Sequence, residues 1–167
     1  MPATLRLAPA SDPKRSANSD RPIRIVLADD HVAVRRSLRL VLDRVADVEV
    51  VAEATDRAAA LERVRYHHPD VLVLDPQLHD GASIETIRQL RASVPDTSLV
   101  VISMEMSAVF AAGVIEAGAL GFVLKERSNS DLPPALRAAV RCEEWISPSI
   151  RQAAERLRRP SVLTPTE

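Results

Sequence analysis

Five polar side chains in this sequence stand where four short apolar runs stop. Ile23–Ala28 runs into Asp29 and Asp30, Val71–Leu74 into Asp75, Leu99–Ile102 into Ser103, and Gly121–Leu124 into Lys125. Carboxylates brought together repel one another unless a cation neutralises them. Mg2+ suits such a group, because it takes one or two carboxylates and completes its octahedron with water, carbonyl or phosphate oxygens. A carboxylate left free is a nucleophile and can accept a phosphoryl group as an aspartyl phosphate. The transferring group carries spread negative charge, which an ammonium at Lys125 and a hydroxyl at Ser103 would meet. Lysine is scarce here: Lys14 and Lys125 are the only two. Taken singly, the acidic pair reads as a helix cap, Ser103 as a loop hydroxyl bonded to backbone and Phe122 as core. Together, at successive strand ends, the polar residues read as a site.

Bringing them together requires a parallel sheet. The apolar runs, with Val48–Ala52, alternate with helical patterns: Val34, Leu38, Val41, Leu42 and Val45 in the first, Ala59, Ala60, Val64 and Tyr66 in the second, Ile84, Ile87, Leu90 and Val94 in the third. Asp56 is placed to cap the second helix, Pro69 and Pro95 to stop the second and third, and Gly118 to stop the fourth. A loop with Asp80-Gly81 precedes the third helix. Ser130 or Asp131 is expected to cap the fifth, with Pro133 and Pro134 in its first turn. Five βα units predict an α/β fold: a doubly wound five-stranded parallel sheet of order 2-1-3-4-5 with helices on both faces. Ligands of such sheets bind outside the carboxyl ends of the strands.

Residues 1–21, rich in Pro, Ser, Ala and Arg, are expected to be a disordered tail, 22–144 the folded domain, and 145–167 a linker helix opened by Ser147-Pro148 and leading to a further domain absent from the chain. A hydrophobic share of 46% can fill a core, and with aromatics at 2% that core must be aliphatic. The net charge of −1 offers no field for nucleic acid. No apolar stretch reaches the roughly 20 residues of a membrane span, and there is no signal-like h-region. The lone Cys142 reads as a small apolar filler on a helix and excludes an internal disulfide, which fits a reducing, cytoplasmic compartment. His67 and His68 are neighbours that point to different faces, and the histidines lack the spacing of a zinc set.

From Ile23 to Val140 the chain resembles the receiver domain of bacterial two-component response regulators of the NarL/LuxR type, which have a flavodoxin-like fold. The resemblance rests on Leu27-Ala-Asp-Asp-His31, Asp75 with Asp80-Gly81, Ile102-Ser-Met104 and Gly118-Ala-Leu-Gly-Phe-Val-Leu-Lys125. Trp145-Ile-Ser-Pro148 is similar to that type's linker, and Leu163-Thr-Pro-Thr-Glu167 to the entry of its helix-turn-helix domain. The resemblance implies that Asp75 is the phosphoacceptor and that Mg2+ is held by Asp30 directly, Asp29 through water, Asp75 and the Gln77 carbonyl. It implies that Lys125 pairs with the phosphoryl group or Asp75, that Ser103 moves to contact that group, and that Phe122 changes rotamer with it. The switching face would be the fourth helix, fifth strand and fifth helix. A sensor histidine kinase is the implied partner, DNA is reached only through the absent domain, and a homodimer is compatible. Such a domain is a phosphoacceptor, not an enzyme with a separate substrate. The sequence departs from the family pattern at Pro76, where a branched aliphatic is usual, and at His79, where proline is frequent. Both motivate an alternative: a degenerate receiver that signals by protein contacts without phosphate. A phosphohydrolase would need an acid where Gln77 stands, and no Gly-rich loop supports a nucleotide site.

Overall fold

The computed structural model describes residues 20–78 and 83–158, with side chains to Arg156. Almost all of the expected tail, the His79-Asp80-Gly81 segment and Leu163–Glu167 lie outside the described residues. The elements are β1 (Ile23–Ala28), α1 (Val32–Asp43), β2 (Val48–Ala54), α2 (Arg57–His67), β3 (Val71–Leu74), α3 (Ile84–Ser93), β4 (Ser98–Ser103), α4 (Ala108–Glu116), β5 (Gly121–Leu124), a 3-10 turn (Lys125–Arg127), α5 (Ser128–Val140), β6 (Trp145–Ile146) and α6 (Pro148–Arg158).

All paired strands run parallel, in the order β2-β1-β3-β4-β5-β6. The expected order 2-1-3-4-5 is present, but the sheet has six strands, not five. The sixth pairs Trp145 with Gly121 and Ile146 with Phe122. Two residues carry no readable period, which is why the pattern alone ends the sheet one strand early.

Along β1, β3, β4 and β5 side chains alternate between two cores, as the two-residue strand period demands. Val26, Leu72, Leu74, Leu99, Val101, Phe122 and Leu124 face α2, α3 and α4, whereas Ile25, Leu27, Val71, Val73, Val100, Ile102 and Val123 face α1 and α5. Every residue of β3, β4 and β5 is buried. A leucine or isoleucine buried here contributes about 1.5–3 kcal/mol, so the aliphatic composition is sufficient for both layers.

Asp56, Ser83 and Ser107 accept main-chain N–H groups in the first turns of α2, α3 and α4. Gly118 closes α4 at φ +114, where a side chain would be strained and its Cβ would also crowd Arg91. Three expectations are corrected. Helix α5 begins at Ser128, fed directly by the 3-10 turn, so Ser130 and Asp131 do not cap it and Pro133 and Pro134 fall inside it. The carbonyls those prolines leave without a helical donor belong to Asn129 and Ser130, both exposed residues. Cys142 is exposed and lies past the helix at φ +58. There its N–H donates to the Ala139 carbonyl (3.0 Å) and that of Glu143 to Ala138 (2.9 Å), a Schellman closure. Tyr66 is exposed, and α2 packs through Ala60 and Val64 instead.

Candidate functional site

Parallel pairing puts the carboxyl ends of β1, β3, β4 and β5 on one edge. The register sets Ala28 beside Leu74, Leu74 beside Val101, and Ser103 beside Leu124. Asp29 and Asp75 therefore leave adjacent strands side by side, and Lys125 follows one strand beyond Ser103.

Lys125 Nζ donates to Asp75 Oδ2 (2.6 Å) and to Asp29 Oδ2 (2.8 Å). Both carboxylates are buried, Asp29 at 0% exposure and Asp75 at 2%. Each has its second oxygen held by a main-chain donor: the His31 N–H reaches Asp29 Oδ1 (2.8 Å) and the Gln77 N–H reaches Asp75 Oδ1 (2.9 Å). Burial by itself would push the Lys125 ammonium down, but the hydrogen bonds and charges of the two carboxylates outweigh it and hold its pKa above the ordinary lysine value. Asp30 is only partly buried, and its Oδ1 lies 2.9 Å from His31 Nδ1. One ligand atom from each of Asp29, Asp30, His31 and Asp75 can be chosen so that all lie within 4.8 Å of one another.

Pro76 is accommodated in the loop after β3. The Leu78 N–H donates to the Asp75 carbonyl (3.4 Å), which makes Asp75–Leu78 a turn with Pro76 at its second position. Proline is favoured there, because its fixed φ suits the turn and no N–H is required of it.

Ser103 ends β4, buried, and its Oγ accepts the Glu105 N–H (3.0 Å). A hydroxyl that accepts in this way keeps its proton for another acceptor. Phe122 lies behind the edge, fully buried, with its ring edge-on to Phe110 of α4 (6.0 Å between centroids, 78° between planes). The structure thus brings Asp29, Asp30, Asp75 and Lys125 into one cluster, with Ser103 on the same edge. Gln77 enters through its N–H.

Two participants were missed by pattern. His31 stands at the start of α1, but its side chain makes no cap bond and turns to the acidic pair. Arg35 donates to the Asp29 carbonyl (2.8 Å) and to Glu53 Oε1 (3.1 Å), tying the start of the site to β2. His31 closes the Leu27–His31 motif without a side-chain role read from it, and Arg35 has no sequence signal beyond being near Asp29.

The donor set fits a hard divalent cation. It is rich in carboxylate oxygen: Asp29, Asp30 and Asp75 each offer an oxygen within 4.8 Å of the others, and Lys125 bridges Asp29 and Asp75. Clustered carboxylates of this kind are the usual setting for Mg2+.

The sequence profile of the response regulator receiver domain matches residues 25–137. Oxygen regulatory protein NreC of Staphylococcus epidermidis is 34% identical over 125 residues, 74% of this chain and 57% of the relative. The chain therefore spans less than two thirds of that relative's length. A two-component response regulator of the LuxR family from Aurantimonas sp. SI85-9A1 superposes with a TM-score of 0.74 at 34% identity, covering 82% of this chain and 99% of the other. The isolated REC domain of RcsB from Salmonella enterica serovar Typhimurium, in the presence of phosphomimetic BeF3-, gives 0.71 at 26% identity, covering 79% and 98%.

Proposed function

The chain belongs to the response regulator receiver family, and on that premise we propose that Asp75 accepts a phosphoryl group from a sensor histidine kinase and thereby switches a transcriptional output. The single observation that supports this most is the buried Asp29–Lys125–Asp75 bridge with Asp30 beside it. It supplies a nucleophile, an internal cation and spare acidic ligands at one sheet edge.

An Asp75 carboxylate oxygen attacks the phosphorus of a phosphohistidine. The P–O bond forms as the P–N bond breaks, and the electron pair leaves on the imidazole nitrogen. Gln77 N–H and Lys125 hold the carboxylate in place beforehand, so little reorganisation is needed at the moment of transfer. Asp30, Asp29, Asp75 and the Gln77 carbonyl would hold Mg2+, which when bound supplies positive charge opposite the phosphoryl oxygens. Lys125 meets the same charge from the other side, and the free proton of Ser103 donates to a phosphoryl oxygen. Inward Phe122 against Phe110 links that edge to α4, so a shift of Ser103 has a packed neighbour to act on. The chain then assists only its own phosphorylation and dephosphorylation. Output to DNA would pass through a further domain of the kind its longer relatives have room for, in the cytoplasm, and homodimerisation is compatible with it.

The degenerate-receiver alternative loses much of its motive at Pro76, which occupies a turn position that suits it. A phosphohydrolase is disfavoured because Gln77, at the position of the required acid, serves the site through its main chain. Incubation with acetyl phosphate and Mg2+ tests the proposal. The expected outcome is a one-phosphoryl mass gain in the wild type and none in Asp75→Asn. Equal gain in both proteins would reject Asp75 as the acceptor.

A further inference from the structure

A buried run of polar contacts joins the site to α6. Ser147 sits at the N-cap position of that helix, where a serine hydroxyl ordinarily accepts a helix N–H. Here the hydroxyl points elsewhere: it accepts the Leu124 N–H (3.1 Å) and donates to Asp131 Oδ2 (2.9 Å). Ser147 is fully buried, and the other Asp131 oxygen accepts the Ser130 hydroxyl (2.9 Å). Leu124 is the residue before Lys125, and on the far side the Ser128 hydroxyl donates to the Lys125 carbonyl (2.8 Å). The main chain that carries the site's ammonium is therefore pinned from both flanks, and one pin belongs to the segment after the conventional five-stranded domain.

The main chain of Ser147 reaches further. Its N–H donates to the Phe122 carbonyl (2.9 Å), and its carbonyl accepts the N–H groups of Ile150 (3.0 Å) and Arg151 (3.1 Å) in the first turn of α6. Ile150 is buried in the same apolar cluster as Phe122, Ala111 and Val114, and α6 packs on α4. One residue thus bonds to the main chain just before Lys125, to the main chain of Phe122, and to the start of α6. Without its hydroxyl, the buried Leu124 N–H and the Asp131 carboxylate would each lose a partner, which buried polar groups tolerate poorly.

We propose that Ser147 is a positioning residue for Lys125, and that through it the phosphoryl site and the docking of α6 share one equilibrium. The inference rests on the phosphoacceptor reading of Asp75. Drawing Lys125 toward a phosphoryl group displaces Leu124 against Ser147, and loosening α6 withdraws the hydroxyl that holds Leu124. Coupling of this kind is reciprocal.

The test uses beryllofluoride with Mg2+ on the full chain, read by amide hydrogen exchange and by binding affinity. In the wild type, beryllofluoride is expected to change exchange at the Leu124, Ile150 and Arg151 amides. Ser147→Ala should weaken beryllofluoride binding by about fivefold or more, and Ser147→Thr, which keeps a hydroxyl, should recover much of it. Bound beryllofluoride with unchanged α6 amides, or equal affinity in Ser147→Ala, overturns the coupling and leaves the phosphoacceptor reading intact. No binding to the wild type rejects that reading, and the coupling falls with it. Should Ser147→Ala fail to fold, the wild-type exchange measurement decides alone.

Discussion

The two edges of the sheet treat their carboxylates in opposite ways. At the amino edge, Asp70 accepts two guanidinium N–H groups from Arg21 (3.2 and 2.9 Å) and the Arg24 main-chain N–H (2.9 Å). Asp47, just ahead of β2, takes a two-pronged contact from Arg137 of α5 (both 2.8 Å). Each of these two acids has its own guanidinium. At the carboxyl edge a single ammonium, Lys125, bridges two acids, Asp29 and Asp75, and Asp30 brings a third carboxylate beside them. The first arrangement is complete within the chain and fastens loops. The second gathers several acids around one ammonium, which is the property of a site.

The largest expected effect breaks the pairing at the carboxyl edge. Lys125→Ala leaves two deeply buried carboxylates without their ammonium, and stranding a buried charge costs about 3–5 kcal/mol. Asp70→Asn should cost only about 1–2 kcal/mol, because Arg21 is half exposed and water takes over its N–H groups. Urea unfolding in metal-free buffer compares them. Equal losses would mean that the two edges are not different in kind.

Adding Mg2+ sharpens the contrast. At a hundredfold excess over its Kd, a ligand of the native state alone stabilises by about 2.7 kcal/mol, on the order of 10 °C in Tm for a domain of this size. The wild type should show that rise, and Asp30→Asn should lose most of it. Asp70→Asn should respond as the wild type does, since Asp70 lies at the opposite edge, paired with Arg21. A wild-type Tm indifferent to Mg2+ would revive the degenerate receiver.

Much of this division was legible in the sequence. Strands β3, β4 and β5 have apolar interiors because both faces are covered, so their polar terminators stand out. The strand order then brings Asp29, Asp75 and Lys125 together without further information. What escaped notice depends on tertiary partners. A two-residue strand exists only because β5 offers it a ladder. Asp131 looks like a helix cap until Ser147 arrives beside it from β6. Ser147 itself has the local signature of a cap, and only burial against Leu124 redirects its hydroxyl. Cys142 follows a helical pattern closely enough to be read as its continuation, and the Schellman turn that exposes it depends on the chain reversing into β6. The chemistry was readable because it uses rare residue types at strand ends, whereas the coupling uses a common serine.

The smallest expected effect lies at the amino edge and depends on pH. The Arg137 side chain, through its hydrogen bonds, outweighs a small desolvation cost and holds the Asp47 pKa below its ordinary value of 3.8. A carboxylate whose pKa falls on folding stabilises the native state above its unfolded pKa, and that contribution disappears as pH drops through the folded value. Both side chains are about half exposed, Arg137 at 45% and Asp47 at 49%, so solvent screening limits the pair to a few tenths of a kcal/mol, at most about 1. Urea titrations of the wild type and Arg137→Leu should therefore differ by that small amount at neutral pH and converge below about pH 4. High salt should shrink the difference at neutral pH, because the pair faces water. A gap that persists unchanged in acid would show that Arg137 acts through packing of its stem on α5 rather than through Asp47, and the amino edge would then no longer be an example of completed ion pairing.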